Sequence, residues 1–303
     1  MSTTPLEATR RPALGAVLLL AATSLFWGLN WPVMKLALAG IPVLPFRALC
    51  LLAAGPAMLA IARLRGDRLR LPPRELRQVV VAALFNITLW HLFTGYGVSL
   101  MPAGRASIIA YTMPAWATLL GVLFLGETLT PSRAAALVLG LAGIGALLLP
   151  DLGAILAAPL GAASMILAAF CWAVGTVVMK RFRWTGSVAA LTGWQICIGG
   201  LPILVAALVT GPFPGLAHAD PGTLAALAYV IIFGMIFGQW GWFEVLTRLP
   251  VTRASIGTLA IPVIGTVSSA LLLGERLGTS ELAALVLVVA ALALALRPAP
   301  ARR

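Results

Sequence analysis

Pro102-Ala103-Gly104-Arg105-Ala106-Ser107-Ile108 returns 148 positions later as Pro250-Val251-Thr252-Arg253-Ala254-Ser255-Ile256. The same shift carries Pro114 onto Pro262, Gly126-Glu127 onto Gly274-Glu275, and Ala135-Ala136-Leu137-Val138-Leu139 onto an identical Ala283-Ala284-Leu285-Val286-Leu287. Alanines and leucines match by accident; Pro, Arg, Gly and Glu matching in the same order do not. At a shift of 145, Trp27, Val33, Met34 and Lys35 fall on Trp172, Val178, Met179 and Lys180, so a short indel separates the matched blocks. The chain is therefore a tandem of two related halves.

Each half is built for lipid. Of 303 residues, 61% are hydrophobic and 10% charged, whereas a soluble domain carries about a quarter charged residues. Apolar runs recur at roughly the 20 residues a helix needs to cross about 30 Å of hydrocarbon. Turn residues divide them into ten expected spans, near 13–38, 42–62, 78–98, 103–125, 131–149, 158–180, 188–210, 222–245, 251–273 and 280–296. Residues 1–12 and 297–303 are left as tails, and 13–149 and 158–296 as repeats of five spans each. Five is odd, so the second repeat enters the membrane from the opposite side. The fold class expected is an all-α polytopic membrane protein, with ten transmembrane helices in two inverted five-helix repeats around a central cavity.

Charge sets the expected orientation. Arg10, Arg11, six arginines from Arg63 to Arg77, Arg133, Lys180, Arg181, Arg183, Arg248, Arg297, Arg302 and Arg303 fall on one side of this topology. The other side holds mainly Asp151, His218, Asp220, Glu275, Arg276 and Glu281. The positive-inside bias puts both termini in the cytoplasm. A net charge of +12 invites a nucleic-acid reading, but the cations sit in short loops and tails rather than on one face, and no nucleic-acid motif accompanies them. Cys50, Cys171 and Cys197 lie inside apolar runs without metal spacing and read as packing residues. No metal or cofactor is expected. Arg10-Arg11 before an apolar run mimics a signal peptide, but the run is too long and lacks a convincing cleavage site; it reads as a retained first span.

With Phe26-Trp27-Gly28-Leu29-Asn30 in the first span, and the Pro…Arg-Ala-Ser…Pro…Gly-Glu pattern in both halves, the sequence resembles the drug/metabolite transporter superfamily in its EamA branch, from about residue 13 to 296. Within that branch it looks most like the YddG-like bacterial amino-acid exporters. The resemblance implies a basket of ten helices in a bacterial inner membrane. Its central cavity is lined mostly by the first, third, fourth, sixth, eighth and ninth spans, and the substrate is a small organic metabolite, most readily an amino acid, moved outward. A transporter for another solute class, such as a drug, a sugar or a nucleotide-derived metabolite, stays open. So does a membrane-embedded lipid-modifying enzyme, although no P-loop, no mid-span carboxylate pair and only two histidines are present to support catalysis or ATP hydrolysis.

Polar and aromatic groups at mid-membrane depth are the candidates for solute contact, because lipid tolerates them poorly. Asn30 lies between Trp27 and Trp31, and Pro32 is expected to bend or break that helix and free a backbone carbonyl. His91 sits in the third span beside an expected stripe of Asn86, Trp90 and Thr94, and its repeat mate is Gln239 in the eighth. Tyr111 precedes Pro114 in the fourth span, and Trp172 is the mate of Trp27. Asn30, Trp90, His91, Tyr111, Trp172 and Gln239 are the expected substrate-binding set, with Trp240 as a further aromatic wall. Such a wall accepts varied apolar solutes and ammonium groups by cation–π attraction. Gly234 and Gly238 are expected to let helices approach closely. Glu127 and Glu275 are expected at helix ends, Glu244 and Arg248 as an i,i+4 pair, and Lys35 as a snorkelling cation. Trp116, Trp194 and Trp242 read as packing or interface residues.

Overall fold

The structure, a computed structural model, describes residues 14–101, 106, 109–148, 153, 159–210, 219–273 and 279–295. Arg105, Ser107 and Glu275 of the repeat motif, and the expected tails, lie outside the described residues. All regular structure among the described residues is helical.

The helices are α1 (Leu14–Gly40), α2 (Val43–Leu64), α3 (Pro73–Ala83) and α4 (Trp90–Leu100), then α5 (Met113–Leu125) and α6 (Pro131–Leu148). The second half repeats the order: α7 (Pro159–Arg181), α8 (Val188–Thr210), α9 (Pro221–Tyr229), α10 (Gly238–Arg248), α11 (Val251–Gly257), α12 (Ala260–Leu273) and α13 (Thr279–Ala295). Seven helical stretches are long and apolar enough to cross a membrane, namely Leu14–Gly40, Val43–Leu64, Pro73–Leu100, Pro159–Arg181, Val188–Thr210, Pro221–Arg248 and Arg253–Leu272. Met113–Leu125 and Ala134–Ala146 are shorter apolar helices.

Why these stretches are helices follows from their solvent. Backbone N–H and C=O groups in hydrocarbon must pair within the segment. Leucines and valines then point outward without penalty: Val209 and Leu271 are each 80% exposed and Leu160 74%. In water such a belt of exposed apolar side chains would aggregate; in a bilayer it is the solvated surface. The polar residues Asn86, His91, Gln195 and Gln239 are instead buried between helices.

The packing repeats as the sequence does. α2 lies along α8, and α6 along α13, each pairing a helix with its own repeat mate. α1 packs on α9, α10 and α12 of the second half, and its mate α7 packs on α4 and α5 of the first. Each half thus lends its first helix to the other, which makes one interlocked body.

Two departures from expectation concern helix geometry. α1 is continuous through Pro32; the proline costs one intrahelical hydrogen bond without breaking the helix. The irregular backbone lies instead in the third and eighth spans. Leu84–Leu89 joins α3 to α4 as a π-helix, and Val230–Phe237 joins α9 to α10 in the same way. The shift of 148 superimposes the C-terminal ends of these segments, Leu89 on Phe237. π-turns cluster at functional sites because they rotate the side chains that follow, and here they deliver His91 and Gln239.

Candidate substrate cavity

α1 sets the cavity wall. Trp27 donates its indole N–H to the carbonyl of Gly234 at 2.9 Å, and a Cβ at Gly238 would collide with the same indole. Glycine at 238 is therefore what lets Trp27 lie against the eighth span, and glycine at 234 does the same for Asn30, as expected of a small-residue interface. The Trp27 ring then meets Trp172 of α7 edge-on, centroids 5.5 Å apart and planes at 81°. Trp90 of α4 lies 4.9 Å from Trp172 on its other side. Offset and edge contacts of this kind satisfy the ring quadrupoles and fix the wall.

A narrow cavity of about 50 Å³ opens beside this cluster, room for water in this conformation. Asn30, Trp90, His91, Tyr111, Trp172 and Gln239 all line it, together with Trp27, Trp31, Met34, Arg47, Thr94 and Met113. Tyr111 stands at the break between a helical turn ending at Ala110 and α5, with its ring 6.2 Å from that of Trp31. Six polar atoms of the lining are buried without a hydrogen-bond partner: Asn30 Oδ1, Arg47 Nε, His91 Nδ1 and Nε2, Trp172 Nε1 and Gln239 Oε1. Buried polar atoms are normally satisfied, and an orphan needs an explanation such as a ligand or water. Here the orphans converge on one space.

Some placements differ from the sequence reading. Asn86 turns away from the cavity and donates to Gln195 Oε1 of α8 at 3.1 Å. The expected Asn86–Trp90–Thr94 stripe assumed α-helical period, and the π-turn between Asn86 and Trp90 breaks it. Trp240 also leaves the wall: its ring packs near Phe237 and under the Arg65 guanidinium. Trp242, three residues after Gln239, packs against the wall tryptophans without lining the cavity, 6.1 Å from Trp27 and 6.2 Å from Trp172. Arg47 was not singled out from the sequence. A lone arginine early in an apolar helix reads as an end-of-span cation, yet it is only 3% exposed and donates to Thr94 Oγ1 at 2.9 Å.

One end of the bundle is cross-tied. Lys180, at the end of α7, donates to the carbonyls of Leu246 and, at 3.1 Å, Leu249, where α10 finishes. A lysine ammonium suits the exposed carbonyls and negative dipole of a helix C-terminus. Glu127 accepts the Val251 N–H at 2.8 Å, its turn set by Gly126 in the left-handed region (φ +66°). Arg181 donates to the Phe124 carbonyl at 2.6 Å. Glu244 and Arg248 form their i,i+4 pair at 2.6 Å.

Residues 14–149 and 159–297, which cover both repeats, each match the EamA-like transporter family. The chain belongs to that family. Among EamA relatives, it is 30% identical over 284 residues to the uncharacterized transporter YvbV of Bacillus subtilis, covering 93% of this chain and 92% of that one. It is 29% identical to a probable amino-acid metabolite efflux pump of Escherichia coli strain K12, over 88% of this chain and 89% of that protein. A solved crystal structure superimposes with a TM-score of 0.76 at 21% identity, over 93% of this chain and 96% of the other, which shows a shared fold.

Proposed function

We propose that this EamA-family protein is a secondary transporter that exports small organic metabolites, amino acids foremost, by alternating access through the Trp-lined cavity. The observation that carries this reading is the cavity itself: it lies where helices of both repeats meet, and six unpartnered buried polar atoms face it. Similarity to a probable amino-acid metabolite efflux pump supports the solute class. In this reading Asn30, His91 and Gln239 hydrogen-bond the solute, and Trp90, Tyr111 and Trp172 stack on its apolar part or hold its ammonium group. The ten spans form two inverted repeats in a bacterial inner membrane, with both termini cytoplasmic. The sidedness of the cations supports this orientation.

The direct test is reconstitution in liposomes with radiolabelled amino acids, with and without a pH gradient. Uptake saturating with solute and lost in Tyr111→Ala and His91→Ala, at unchanged thermal stability, is the expected result. If both variants lose stability while their folded fraction transports normally, those residues are structural. A reporter fused after residue 303 checks the topology: activity only from a cytoplasmic reporter is expected.

A further inference from the structure

Arg47 is the one cation in the cavity wall, and no carboxylate lines that cavity. Its guanidinium is held on one side by Thr94 Oγ1 and on another by the Phe46 ring, 5.5 Å away, while Nε has no partner. Among the described residues no acidic side chain pairs with it. A guanidinium keeps its charge at neutral pH, and leaving a buried charge uncompensated is costly in protein and more so at membrane depth. A fold that keeps one in a cavity wall without an acidic group is built to receive the countercharge from a ligand.

The shape of that ligand follows from the group. A guanidinium presents parallel N–H donors that match the two oxygens of a carboxylate. Around it stand Trp27, Trp31, Trp90 and Trp172, which suit an apolar or aromatic body. No acid waits for an ammonium, so an amine contributes only through ring faces.

We infer that Arg47 anchors a carboxylate, so that the cavity selects small monocarboxylates with an apolar or aromatic body, and that the amino group of an amino acid is dispensable. This rests on the cavity being the transport site. It narrows the solute class to organic anions and zwitterions and excludes the corresponding amines and amides.

The test is ligand discrimination in the full-length, detergent-solubilised protein, read by quenching of the cavity tryptophans. 3-Phenylpropionate should bind at least tenfold more tightly than 3-phenylpropanamide, its neutral isostere. Arg47→Gln should erase that preference by weakening the acid and sparing the amide, and Arg47→Lys should retain part of it. Equal affinity of acid and amide for the unmodified protein, or binding of neither, overturns the assignment without need of any variant. An Arg47→Gln protein that stays monodisperse and keeps the full preference overturns it as well. Proteoliposome uptake separates the two levels: acid preference without amino-acid transport removes the amino-acid reading and leaves the anchor standing. Amino-acid transport without acid preference does the reverse.

Discussion

The two helix crossings that join the halves use the same pair of residue types with the roles exchanged. Where α1 meets the eighth span, Asn30 lies against Gly234; where α7 meets the third span, Gly175 lies against Asn86. The repeat shifts map Asn30 onto Gly175 and Asn86 onto Gly234, so the asparagine has changed helix between equivalent positions. The steric fit, one amide into one glycine, is preserved. The chemistry is not: both amide oxygens are unpaired, but Asn30 lines the cavity, whereas Asn86 donates through Nδ2 to Gln195 and joins three helices. The same duality runs along the helix ends. Lys180 ties α7 to the end of α10. Its mate Lys35 is half-buried and makes no hydrogen bond or ion pair among the described residues. At that end the described hydrogen bonds of Ser99, Thr210 and Asp220 stay within single helices, and the bonds from Thr223 hold the Asp220 carboxyl below the ordinary aspartate range. A duplicated chain thus carries two copies of each device and realises them unequally, as the alternating access proposed above calls for.

The largest effect expected from this comparison is at Lys180. Removing charge-assisted hydrogen bonds worth roughly 1.5–3 kcal/mol each should shift the balance between the tied and untied states about tenfold or more. Lys180→Met should therefore accelerate maleimide labelling of a cysteine placed at Leu249, a side chain only 3% exposed here. An unchanged labelling rate breaks the comparison.

Next comes Asn30. Loss of a neutral hydrogen bond to solute, about 1 kcal/mol, should lower kcat/KM for transport about fivefold in Asn30→Ala while the melting temperature stays level. A matching loss of stability would make Asn30 glue like its counterpart.

Asn86→Ala should show the converse. Losing an interhelical amide pair in a membrane costs roughly 0.6–1.7 kcal/mol, so the melting temperature falls and the folded fraction transports normally. The smallest effect is at Lys35: Lys35→Met should leave stability unchanged and slow, not accelerate, labelling at Leu249→Cys, since it weakens only the opposite state. Acceleration there would show that the two lysines are not alternates.

The all-helical two-repeat character was legible because duplication writes itself twice: proline, glycine and charged residues matched at fixed spacing even where alanine and leucine carried no information. That the six expected residues line one cavity was legible because polar and aromatic side chains are rare at mid-span and the repeat paired His91 with Gln239. Arg47 was not, since one cation in an apolar helix looks the same from sequence whether it faces a headgroup or a cavity. The π-turns were not legible either. Nothing in Leu84–Leu89 distinguishes a turn with one extra residue, and that residue moved Asn86 out of the site. Trp240, one residue after Gln239, points to another face of the helix and leaves the wall.

The paired π-turns have a mechanical consequence. A rod with one loosened link stores its deformation at that link and leaves the rest straight. In the third and eighth spans the link sits directly before the residues that meet in the cavity, Trp90 and His91 in one and Gln239 in the other. Strain imposed at either end of these rods would therefore reach the cavity wall as rotation, through two such links at positions related by the repeat.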